Sequence, residues 1–127
     1  MKLVAAVLLL ATGLLAASCG RPSQHLATPA KTRSCLTKAG VRFGGQLDFV
    51  ASTATGGALK AHLRHNDVTI VFGKTEADAN NIGDAYRRFR ARNIGINDVL
   101  HQQGNAVMLW RLHPSDADFA RVTGCLK

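Results

Sequence analysis

Acidic residues are scarce in this chain. Eight Asp and Glu stand against sixteen Lys and Arg in 127 residues, and none precedes Asp48. The resulting net charge of +8 favours an anionic surface over a cationic partner. Most of the few carboxylates sit at helix starts or turns, so no glycosidase-like pair stands out. Aromatics are also sparse, with one Trp, one Tyr and five Phe. They do not interleave with the basic residues in the manner of a nucleic-acid binder, which argues against such a partner. No Cys-x-x-Cys or Cys–His cluster offers a metal site. Gly56-Gly57 precede a strand pattern and lack the G-x-x-x-x-G-K-[ST] spacing of a phosphate loop; backbone freedom at a strand entrance explains them. Ser52, Thr53 and Ser115 stand in no nucleophile-elbow motif. The sequence thus names no catalytic residue, no metal ligand and no cofactor.

What is present is concentrated at the start. Met1-Lys2 precede an apolar stretch from Leu3 to Leu15, broken only by Thr12-Gly13, and then Ala16-Ala17-Ser18-Cys19. A charged start, a short apolar core and small residues describe a secretory signal, too short for a membrane-spanning helix. The run into Cys19 resembles a bacterial lipoprotein signal, in which that cysteine is acylated and becomes the mature N-terminus. Leu15 lies one place early for the usual pattern, and Ala16 with Ser18 also fits ordinary signal peptidase. The expectation is a signal over 1–18, a lipid on Cys19, and a polar tether over 19–27; secretion in soluble form is the alternative. Arg21, Lys31 and Arg33 would support membrane attachment through anionic headgroups.

Cysteine arithmetic agrees. The chain has three cysteines, Cys19, Cys35 and Cys125, and an odd count in an exported protein leaves one thiol to explain. With Cys19 acylated, Cys35 and Cys125 form an even set in a compartment where disulfides persist. A bridge between them would close nearly the whole domain.

Residues 28–127 read as one α+β domain. Thr28-Pro29 start a helix that Gly40 stops, with Cys35, Leu36 and Ala39 on its core face. Val41–Thr55 reads mostly as loop, with a short strand at Leu47–Val50. Leu59, Ala61 and Leu63 alternate with Lys60, His62 and Arg64, and Val68–Phe72 returns as the second strand of a hairpin. Thr75 caps a central helix with Ile82, Ala85, Tyr86 and Phe89 on its buried face, ended by Asn93 and Gly95. Val99–Gln102 and Ala106–Leu112 make a second hairpin, and Ser115 caps a last helix that Gly124 stops. The expected order is α-ββ-α-ββ-α: a two-layer fold, with a four-stranded, mostly antiparallel sheet and its helices on one side.

Four histidines invite inspection. His62 and His65 are three apart where a strand meets a turn, a spacing that separates them across the sheet, so solvated side chains are expected rather than a ligand pair. Nothing in the spacing joins His101 to His113. Arg87, Arg88, Arg90 and Arg92 complement the negative end of the central helix, while Glu76 and Asp78 complement its start. Trp110 reads as a core anchor.

The layout resembles the small alanine-rich envelope proteins of high-GC bacteria, especially actinobacteria. Cys35-Leu36-Thr37-Lys38-Ala39-Gly40, Gly104–Trp110 and Gly124-Cys125-Leu126 carry that likeness, which implies no catalytic residue. Three functions stay open: a membrane-tethered binding module with an envelope partner, a small hydrolase or metal enzyme, and a structural envelope component.

Overall fold

The protein, seen in a computed structural model, is described over residues 25–89 and 95–127. The elements are α1 (Pro29–Lys38), β1 (Arg42–Phe43), α2 (Phe49–Thr53), β2 (Ala58–His62), β3 (Asp67–Phe72), α3 (Glu76–Phe89), α4 (Ile96–Val99), β4 (Leu100–Gln103), β5 (Ala106–Trp110) and α5 (Asp116–Gly124). The class is α+β, and the sheet has five antiparallel strands in the order β1-β2-β3-β5-β4. Both expected hairpins form. The fifth strand is β1, a two-residue edge opposite His62 and Ala61, too short to leave a period in the sequence. Where a strand was expected at Leu47–Val50, Asp48 accepts the Ala51 amide at 3.0 Å and starts α2 instead. The hydroxyls of Ser52 and Thr53 then bond back onto that turn, the local competition through which Asp, Ser and Thr favour short helical caps over strands.

The helices cover both faces of the sheet, correcting the two-layer expectation. On one face Leu36 of α1 and Val122 of α5 pack with Leu59, Ala61, Val68, Ile70, Phe72, Met108 and Trp110. On the other, Ala51 of α2 with Ala79 and Tyr86 of α3 pack on Val71, Val107, Leu109 and Leu100. The reason lies in β3 and β5. Apolar residues occur at both parities, Val68, Ile70 and Phe72 against Val71 in β3 and Ala106, Met108 and Trp110 against Val107 and Leu109 in β5, so each strand has apolar surface to bury on two faces. At roughly 25 cal/mol per Å² of apolar area, helices on one face alone would leave the other half of this surface in water.

The caps follow the sequence. Thr28, Thr75 and Ser115 accept from the amides of Lys31, Asp78 and Asp118, and Gly40 takes the left-handed conformation after α1. Three details differ. Cys35 and Ala39 are exposed, the buried face of α1 being Thr32 and Leu36. Ala27, expected in the tether, is buried: Asn105 receives its amide at 2.8 Å and donates to its carbonyl at 2.9 Å. Phe89 is 73% exposed, because α3 runs beyond the sheet surface that covers Tyr86. Cys35 and Cys125 form a disulfide between α1 and the C-cap of α5, with Cα atoms 5.6 Å apart.

Candidate binding cleft

Strand alternation puts Lys60 and His62 of β2, Asp67 and Thr69 of β3, and Leu109 with the following Arg111 on one face. The register aligns Lys60, Thr69 and Leu109 in one row across the sheet. His62, Asp67 and Arg111 form the next row, since His62 pairs with Asp67 and the Arg111 amide donates to the Asp67 carbonyl at 2.9 Å. Further along the same face, Ala58, Val71 and Val107 lie under α2 and α3. The two polar rows lie beyond that apolar cover. Of these rows Lys60, Thr69, Leu109, Asp67 and Arg111 floor a cleft of about 570 Å³ whose wall is the chain from Gln46 to Phe49.

Each wall has a visible cause. Asp48 caps α2 and accepts the Tyr86 hydroxyl on both oxygens, at 3.0 and 2.9 Å, which pins the start of α2 to α3. Lys60 donates through Nζ to the Gln46 carbonyl at 3.2 Å. His62 lies between Gly44 and Asp67: Nε2 is 2.7 Å from the Gly44 carbonyl and Nδ1 is 2.8 Å from Oδ1 of Asp67. Only the imidazolium can donate to both at once. Its pKa is therefore raised, first by the Asp67 hydrogen bond and then by Gly44, against a smaller opposition from burial and from Lys60. Asp67 also faces Nε of Arg111 at 3.6 Å. Asn66, buried behind this row, donates to the Leu112 carbonyl at 2.9 Å and accepts from the amides of Leu112 and Asp67. That clamp fixes where the chain leaves β5 and so places Arg111.

The rim carries an exposed aromatic pair. Phe49 is 72% exposed and meets Phe89 edge-on, with ring centroids 6.5 Å apart.

The other expected residues lie elsewhere. His62 is bridged between Asp67 and Gly44, contrary to the expectation of a merely solvated side chain, while His65 is exposed on the adjoining turn. His101 and His113, which spacing did not join, meet at one acceptor: Nε2 of His101 and Nδ1 of His113 lie 3.2 and 3.1 Å from the Asp98 carbonyl. Both can donate to it, and the edge of His101 rests on Phe119. Among the described residues, no three His, Cys, Asp or Glu side chains gather as metal ligands. Trp110 is buried as expected, and its Nε1 has no partner. Arg87 pairs with Asp84 at 3.3 Å on α3. Arg33 lies over the Phe43 ring at 4.7 Å, and Lys31 is exposed. Cys19, Arg21, Arg90, Arg92 and Asn93 lie outside the described residues, as does the expected signal. No helix among the described residues is long and apolar enough to cross a membrane. Comparison with known protein families, characterised proteins and solved structures yields no match to this chain.

Of the site, the sequence showed the alternation that puts Lys60 and His62 on one strand face. It did not show Asp48, Asn66 and Arg111, because their roles depend on partners 38 to 46 residues away in sequence.

Proposed function

We propose that this chain is an envelope lipoprotein, acylated at Cys19, whose folded domain is a binding module that displays its cleft away from the membrane. One observation carries the reading: the cleft and Ala27, the last residue of the expected tether, lie at opposite ends of the sheet. The tether reaches the domain at Ala27, which Asn105 holds beside Gly73, next to the Phe72–Ala106 end of the β3–β5 pair. The cleft occupies the Asp67–Arg111 end. Five strand rises of about 3.4 Å separate the two ends, about 17 Å in all. A tether held there leaves the cleft facing outward.

Binding is favoured over catalysis by how the polar groups are engaged. A general base needs a ring nitrogen free to take a proton from substrate, and both nitrogens of His62 face acceptors within the domain. Asp48 and Asp67 are held by Tyr86, His62 and Arg111. What the cleft offers is a shaped polar floor beside exposed aromatic surface, the mix typical of a recognition site.

The test is site-specific photo-crosslinking in the native envelope. A benzoylphenylalanine in place of Phe49 is expected to give a discrete adduct, and one at Lys74, beside the tether end, is expected to give none. Equal adducts from both positions would remove the outward-display reading. Mass spectrometry of the mature N-terminal peptide decides the anchor, through the presence or absence of a diacylated Cys19.

A further inference from the structure

Two carboxylates and two cations line the cleft, and the donors left free there belong to the cations, while both carboxylates are engaged within the domain. The Asp48 carboxylate already receives the Ala51 amide and the Tyr86 hydroxyl, and Asp67 faces His62 and Arg111. Among the described residues Lys60 meets one acceptor, the Gln46 carbonyl, and an ammonium has three donors. The terminal nitrogens of Arg111 meet no acceptor among the described residues, and its side chain is 61% exposed.

The two cations are held apart. The Lys60 stem passes over Gly45, where a Cβ would lie 3.4 Å from its Cδ, so its ammonium is directed toward the β1 side. Arg111 follows β5, two strands away and beside Asp67. Two strand spacings and two residue rises place the Cα atoms of Lys60 and Arg111 on the order of 12 Å apart. Thr69 and Leu109 floor the space between them, and Leu47 and Phe49 wall it.

We propose that the cleft binds an acidic peptide segment in extended conformation, with one carboxylate on Lys60, a second on Arg111, and an apolar side chain between them against Leu47, Phe49 and Leu109. This rests on the cleft being the displayed binding site and adds what fills it. The spacing selects an extended chain. Residues i and i+4 of a strand are about 13 Å apart, whereas a five-carbon diacid spans roughly half that distance. Charge reinforces the choice, because bidentate Arg–carboxylate pairing needs the terminal nitrogens that Arg111 leaves open.

Fluorescence anisotropy tests this with the chain from residue 19 onward, carrying Cys19→Ser so that no lipid contributes. Among the described residues the buried core runs from Ala27 to Leu126, all of it within this chain. The probe is a labelled Glu-Ser-Leu-Ser-Glu amide, its control is the Gln-Ser-Leu-Ser-Gln counterpart, and glutarate is the small-acid competitor. Saturable binding of the acidic probe is expected, weakened by salt and by about tenfold or more on Lys60→Glu or Arg111→Glu. The control peptide should not bind, and glutarate should not compete at equal concentration. The inference is overturned by absent saturable binding, by equal binding of the control, by either charge reversal leaving affinity unchanged, or by effective glutarate competition. Circular dichroism checks that each reversal variant is folded, and Lys60→Gln and Arg111→Gln replace any that is not. Adducts at position 49 without peptide binding would sink this occupant alone. Loss of the site-specific adduct would sink the displayed cleft itself.

Discussion

At the scale of single residues, two buried asparagines and one histidine hold the two ends of the sheet. Asn105 ties Ala27 and Gly73 together at the tether end, and Asn66 ties the β2–β3 turn to the chain leaving β5 at the cleft end. In sequence both look like turn residues, because hydrogen bonds to partners 32 to 78 residues away leave no local trace. His62 is the titratable member of the set. Asp67 and Gly44 raise its pKa above the usual 6.5, while Lys60 opposes them, and Arg42 is its cross-strand neighbour on β1. A raised pKa means the folded state favours the imidazolium. The stabilisation is therefore complete below the unfolded value and is lost as pH rises through the folded one. Stability of the wild type to denaturant, relative to His62→Gln, should fall as pH rises above the unfolded value of 6.5, with the difference largest at the acidic end. An NMR titration placing the His62 ring at or below 6.5 would remove the bridge as its cause.

At the scale of elements, legibility followed the length of the pattern. Helices α1, α3 and α5 announced themselves through Thr28, Thr75 and Ser115, each of which caps as expected, and the two hairpins through alternation and the Gly104-Asn105 turn. The elements too short to repeat a period were missed. Strand β1 has two residues, and α4 has four that follow directly into β4. The second helical face was also missed, although β3 carried its signature: Val68, Ile70 and Val71 are all fully or almost fully buried, which one covered face cannot explain. Gly56 shows how tightly these elements approach. A Cβ there would press into the Phe72 carbonyl at the end of β3, so the absence of a side chain matters more than backbone freedom. Gly56→Ala should destabilise the domain by about 1–3 kcal/mol, the usual range for overpacking against immovable backbone. The urea midpoint reads this directly, and a variant unfolding at the wild-type midpoint would show that the α2–β2 connection yields freely.

At the scale of the whole molecule, the two helical faces are held by different means. The face bearing α1 and α5 is joined covalently, the Cys35–Cys125 disulfide spanning 90 residues, while the face bearing α2 and α3 relies on packing and on the Asp48–Tyr86 contact. In the chain-entropy view, a loop of that length constrains the unfolded state by about 4–5 kcal/mol, and native strain or residual structure can reduce the figure. The bridge also keeps α1 docked on the core. Reducing the bond, or replacing both cysteines by Ser, should therefore lower stability by about 2–5 kcal/mol. The loss should be uneven as well as large. Amide exchange is expected to accelerate first in α1 and α5, which then rest on the sheet through Leu36, Val122 and Phe119, the Gln103–Thr123 hydrogen bond and the weak 3.5 Å contact from Thr32 to the Cys125 carbonyl. Strands β3 and β5, buried on both faces, should retain protection until the domain unfolds globally. The cleft would then persist in the reduced protein while its attachment to the tether loosened. Exchange that accelerates equally in β3 and α1 on reduction would show instead that the bridge stabilises the domain as one cooperative unit.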